Sequence, residues 1–153
     1  MAEGLRARKP GITIGNADPD GSALYSFFTT GKLAAEGSSI TEGIGVGRIT
    51  GQLEGLDVDH AYRIEDADFL PILFDLIQTE GLSLGGSAGV NIAGAISLAQ
   101  DLGPGKTIVT LLCDSGARYA GKLFNPEFLR ARGLPVPPWT EPDAAAGLSR
   151  PRI

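Results

Sequence analysis

The chain has 153 residues, 42% hydrophobic and 20% charged, with a formal net charge of −5. That suffices for one domain with a real core, and the acidic balance argues against a nucleic-acid partner. One cysteine, Cys113, and one histidine, His60, exclude an intramolecular disulfide and leave a zinc site built from protein ligands alone unsupported.

From the N-terminus, "EGLRARK" predicts the end of a helix, closed by Pro10-Gly11. This opening lacks the apolar core of a signal peptide, and no apolar run is long enough to span a bilayer, so the expected location is cytoplasmic. "ITIGNAD" is a β-rich run ending in the turn signal Asp18-Pro19-Asp20-Gly21, and "SALYSFFTTGKL" predicts a short helix after Ser22 as N-cap. Residues 36–51, rich in Gly, Ser and Thr, read as an irregular loop. Ala61 to Ile64 reads as a strand. A helix from about Ala67 to Glu80 follows, with Asp66 as its cap, Pro71 in its first turn and Gly81 at its end. Its apolar residues at 69, 70, 73, 74 and 77 keep the helical period.

"LSLG" is then a short strand, and "SAGVNIAGAISLAQDLG" a helix whose small residues suit tight packing on a sheet. "KTIVTLLCD", 106–114, reads as a strand buried on both faces, as in a parallel sheet. Asn125 with Glu127 begins a last short helix, and the Pro-rich remainder reads as extended and then frayed. This alternation predicts an α/β fold with a mainly parallel sheet. Ligands of such sheets sit beyond the carboxyl ends of the strands, here Gly85–Gly89, Asp114–Gly116 and the glycine cluster "EGSSITEGIGVG".

Gly85-Gly86-Ser87-Ala88-Gly89 formally matches G-x-S-x-G, the nucleophile elbow of α/β-hydrolases. A nucleophilic serine needs a base, and in that fold the histidine follows the serine, whereas His60 precedes Ser87; neither Lys106 nor Lys122 has S-x-x-K spacing to it. Two readings stay open: a plain N-cap, worth about 1 kcal/mol, or a hydroxyl that meets an anion or a ring at the start of a helix. "GIGVG", Gly43 to Gly47, falls short of the dinucleotide fingerprint and follows no strand. Asp114-Ser115-Gly116 is a turn or a ligand-facing loop.

Four segments together, "EGSSITEGIGVGRI", "LSLGGSAGVNIAGAISLAQ", "GKTIVTLLCDSGARYAGKLFNPEFL" and "GLPVPPW", resemble the C-terminal half of the cysteine synthase and cystathionine β-synthase family of pyridoxal-phosphate enzymes. The resemblance runs from about Leu5 to Trp139. It implies a three-layer α/β/α fold, the C-terminal portion of a fold type II enzyme over residues 1–140, with 141–153 a flexible tail. It implies that the Ser87 hydroxyl meets the pyridine nitrogen of pyridoxal 5'-phosphate, that Gly43 lies near the bound amino acid, and that Asp114 and Ser115 lie beyond the pyridine edge. The implied reaction is β-replacement, O-acetylserine plus sulfide giving cysteine plus acetate, with a cystathionine β-synthase-like activity as the alternative.

The family's Schiff-base lysine, its "SGNTG"-type substrate loop and its "GTGGT"-type phosphate loop have no counterpart here. Lys9, Lys32, Lys106 and Lys122 match no Schiff-base motif and read as surface charges. The expectation is a chain without synthase activity alone, acting as a homodimer or paired with an N-terminal half, with no nucleic acid, membrane or metal involved.

Overall fold

A computed structural model describes residues 2–51 and 53–141. The regular elements in chain order are α1 (Ala2–Arg8), β1 (Gly15–Pro19), α2 (Leu24–Thr30), β2 (His60–Ile64), α3 (Asp66–Glu80), α4 (Gly86–Leu102) and α5 (Pro126–Arg130), with short 3₁₀ turns at Gly116–Tyr119 and Pro138–Thr140. β1 and β2 form a parallel pair in register from Gly15 beside His60 to Pro19 beside Ile64. The fold is α/β, as the alternation predicts.

Burial follows the helical period. Phe69, Leu70, Leu73 and Phe74 of α3 join Ile64, Val90, Leu123 and Leu129 in one core. α4 packs on both strands and on α3. Two of its glycines make this possible. A Cβ at Gly94 would lie 2.4 Å from the Ala17 Cβ, and one at Gly89 would lie 2.8 Å from the Phe69 ring. Real side chains do not approach so closely, so the small surface of α4 is a packing requirement.

The helix starts differ from the sequence reading. Ser22 does not cap α2. The buried Asp18 carboxylate accepts from the Tyr25 amide (2.7 Å) instead, while the Ser22 hydroxyl bonds to Val46 across the loop. α3 begins at Asp66 itself, and the Asp68 carboxylate accepts from the Glu65 amide (3.0 Å). Pro71 therefore falls in the second turn, where it leaves the Ala67 carbonyl without its helical donor; both residues are exposed, so that carbonyl is open to solvent. Gly81 ends α3 at φ +68°, and Asn125 caps α5 by accepting from the Glu127 and Phe128 amides.

Two expected strands are not ladder strands. In 82–85 only Leu84 pairs, in an isolated antiparallel bridge to Ser115. Residues 106–113 form no regular element, and no strand lies beside them among the described residues. A double-faced apolar strand needs neighbours in a sheet, and the described sheet has two strands only.

Candidate functional site

Three segments meet where α4 begins. The Gly85 amide donates to the Asp114 carbonyl (3.0 Å) and the Gly116 amide to the Ser83 carbonyl (3.1 Å), which laces 83–85 to 114–116. A Cβ on Gly86 would lie 2.9 Å from the Thr41 side chain, so the loop preceding Gly43 closes on the same point. That loop is anchored from beneath. The buried Asp66 carboxylate accepts from the Ser39 hydroxyl (2.5 Å) and the Ile40 amide (3.0 Å). Glu42 pairs with Lys122 on its outer side. Gly43 itself is exposed at φ +75°, with open space where a Cβ would stand.

Ser87 is not the N-cap. Gly85 holds that position in extended geometry, α4 starts at Gly86, and Ser87 is its second residue. The residue is 6% exposed, and its hydroxyl makes no hydrogen bond to any described residue. The capping reading therefore fails. A serine hydroxyl at a helix start that is not spent on a cap or on a described neighbour is available to a ligand.

Asp114 stands against Gly85, two residues before Ser87. One carboxylate oxygen accepts from the Tyr119 hydroxyl (2.6 Å), and this bond holds the Tyr119 phenol above its ordinary pKa. The other, Oδ1, is buried without a partner, at the place where a Gly85 Cβ would be. Ser115 turns outward, and its hydroxyl accepts from the Ala117 amide (3.3 Å) to cap the 3₁₀ turn. So the structure brings Asp114 against Gly85 and the Thr41 side chain against Gly86 at the start of α4, with the Ser115 side chain used in the turn.

This donor set fits the edge of a neutral heteroaromatic ring. The Asp114 carboxylate already places negative charge beside the positive end of α4, which disfavours a phosphate there. The free Ser87 hydroxyl suits a ring nitrogen, and the glycines let a flat group approach. None of the four lysines is buried, and Lys122 is held by Glu42. His60 lies at the other end of α4: its Nδ1 is 3.6 Å from Asp101. Fourteen residues of helix separate Asp101 from Ser87, about 21 Å at 1.5 Å per residue. A serine–histidine hydrolase centre is therefore ruled out by distance. No cluster of three or more metal-ligating side chains exists among the described residues.

Sequence reasoning took Asp66 for a helix cap and passed over Tyr119 and Thr41. No local signal separated Asp66 from its neighbours Glu65 and Asp68, since only its burial shows that it takes donors from another segment. For Tyr119 and Thr41 there was none either, because their contacts depend on how separate loops converge.

Such a site, on such a fold, belongs to a cofactor-binding enzyme class, and comparison with known proteins names it. The profile of the family described as pyridoxal-phosphate dependent enzyme matches residues 1–114, and the chain belongs to that family. More particularly, the chain is 44% identical over 122 residues to cysteine synthase 1 of Neurospora crassa, covering 77% of this chain and 32% of that protein. It is 38% identical over 143 residues to cysteine synthase 2 of Schizosaccharomyces pombe, covering 85% and 36% respectively. Among solved structures, the O-acetylserine dependent cystathionine beta-synthase from Helicobacter pylori superposes with a TM-score of 0.69 at 31% identity, over 79% of this chain and 37% of that one. The chain thus spans about a third of the length of the curated relatives it matches.

Proposed function

We propose that residues 1–140 form the pyridine-facing wall of a cysteine synthase-type active site that uses pyridoxal 5'-phosphate. The observation that carries this is the Ser87 hydroxyl, held in the first turn of α4 and free of any described protein partner. With the cofactor in place, this hydroxyl would donate to the ring nitrogen. A neutral donor does not keep that nitrogen protonated as a carboxylate would. The cofactor, when bound, supplies a moderate electron sink suited to β-elimination and replacement. Asp114 and Ser115 close the far edge of the ring, Tyr119 fixes the Asp114 carboxylate, and the loop at Gly43 borders the amino-acid substrate.

The reaction served is O-acetylserine plus sulfide to cysteine plus acetate. The lysine that holds the cofactor and moves the substrate proton, and the loop that grips its phosphate, match no motif in these residues, so these 153 residues alone make no cysteine. They act within a larger assembly, as a homodimeric enzyme or alongside an N-terminal half. No helix of the described residues is long and apolar enough to cross a membrane.

The likeness to an O-acetylserine dependent cystathionine beta-synthase favours a second reading, in which the same wall serves a thiol amino acid in place of sulfide. Both are tested by grafting residues 1–140 in place of the matched segment of Neurospora crassa cysteine synthase 1. The graft is expected to consume O-acetylserine and sulfide, while the 153-residue chain alone does not. Turnover with homocysteine but not sulfide would select the second reading, and a correctly folded graft that binds no cofactor would defeat both.

A further inference from the structure

The loop from Glu36 to Val46 is tied at both ends to the turn that follows β1. The Gly21 amide donates to the Glu36 carbonyl (2.8 Å), and the Ala23 amide donates to the Val46 carbonyl (3.0 Å). Between those ends, no backbone group of 37–45 bonds to another backbone group among the described residues. Gly43 and Gly45, at φ +75° and +83°, add backbone freedom, so ordering this stretch costs entropy that the backbone does not offset.

The middle of the loop is held by one side chain. The Asp66 carboxylate, buried at the start of α3, accepts from the Ser39 hydroxyl (2.5 Å) through one oxygen and from the Ile40 amide (3.0 Å) through the other. A carboxylate only accepts, so the Ser39 proton points at Asp66. The Ser39 oxygen is then the acceptor for both the Thr41 amide (3.1 Å) and the Thr41 hydroxyl (2.8 Å). One carboxylate thus sets the direction of four hydrogen bonds. The relay ends on α4: a Cβ at Gly86 would lie 2.9 Å from Thr41 Cγ2, so Thr41 rests on the residue before Ser87, and two residues further along the loop stands Gly43. The exposed Glu42–Lys122 pair on the outer side is a weak second hold.

We propose that Asp66 is a positioning residue for the amino-acid substrate. Acting through Ser39 and Thr41, it fixes the loop at Gly43 against the start of α4 before substrate arrives. Asp66 itself touches neither substrate nor cofactor. A loop ordered in advance spares the substrate the cost of ordering it, so the effect falls on substrate affinity and not on the chemical step. The inference rests on the reading that places Gly43 beside the amino-acid substrate, and it deepens that reading by naming what holds this side of the site in place.

The test compares variants in the graft and in the 153-residue chain. Ser39→Ala breaks the relay and leaves the Asp66 carboxylate in place. In the graft it is expected to raise the KM for O-acetylserine about tenfold, with kcat and pyridoxal 5'-phosphate affinity each within about twofold of the parent. Asp66→Asn is expected to stay within about threefold of the parent KM, because its amide oxygen takes the Ile40 amide and its NH2 group donates to the Ser39 oxygen. In the chain alone, without cofactor, Ser39→Ala is expected to speed amide exchange at Thr41 about tenfold and to leave α3 unchanged. Unchanged exchange at Thr41 overturns the inference. So does a loss of cofactor affinity as large as the rise in KM, which would assign the relay to the cofactor. A parent graft that consumes no O-acetylserine defeats the proposed reaction and this inference with it, whereas a working parent whose KM ignores Ser39→Ala defeats the inference alone.

Discussion

The start of α4 and the run at 106–113 contain comparable chemistry, apolar and small residues around a polar tip, but they end in opposite states. At the first, backbone bonds from Gly85 and Gly116, the Asp66 clamp and the packing of Gly89 on Phe69 fix every segment against another. At the second, three apolar side chains face water. The difference is one of available neighbours, not of residue type. One region is packed from three segments, while the other leaves apolar side chains without a described neighbour.

Mutation should divide along that line. Phe69→Ala, in the packed region, is expected to destabilise by about 4 kcal/mol, because it opens a cavity beneath Gly89. Urea unfolding measures it, and a loss under about 1 kcal/mol would mean that α3 and α4 are not packed as described. Asp66→Ala removes the acceptor of the Ser39 hydroxyl and the Ile40 amide; about 2 kcal/mol is expected, with faster proteolysis of residues 36–47 than of α3.

A smaller effect separates by pH. Burial, then the bond to Asp101, pushes the Tyr62 phenol up to about 12. A folded-state pKa above the unfolded one gives stability that is complete below about pH 10 and lost as pH rises towards 12. Tyr62→Phe should therefore flatten the stability profile between pH 10 and 12 and leave its slope near pH 7 unaltered. Smallest of all, Leu111→Lys should change the stability of the chain alone by less than about 0.5 kcal/mol, although the residue is apolar. A loss like that at Phe69 would show the run to be part of the core already.

Much of the fold was legible. The 3.6-residue spacing at 69, 70, 73 and 74 located α3 and its buried face, and Gly81 and Asn125 marked a helix end and a helix start by their own backbone chemistry. Other helix starts were not legible, since Asp18 reaches over seven residues to cap α2 while the nearer Ser22 is drawn to Val46. The strand at 106–114 misled for an instructive reason. Its pattern is that of a strand covered on both faces, and pattern cannot report which neighbours the described residues supply. For the site, motif resemblance pointed to Ser87 and Asp114, but only geometry separated a capping hydroxyl from a free one.

The most direct test is cofactor affinity in the grafted enzyme with Ser87 varied. Ser87→Ala should weaken pyridoxal 5'-phosphate binding about tenfold, the equivalent of one hydrogen bond of about 1.4 kcal/mol, and Ser87→Thr should restore most of it. Equal dissociation constants for serine and alanine at this position would contradict the assignment of this hydroxyl to the ring.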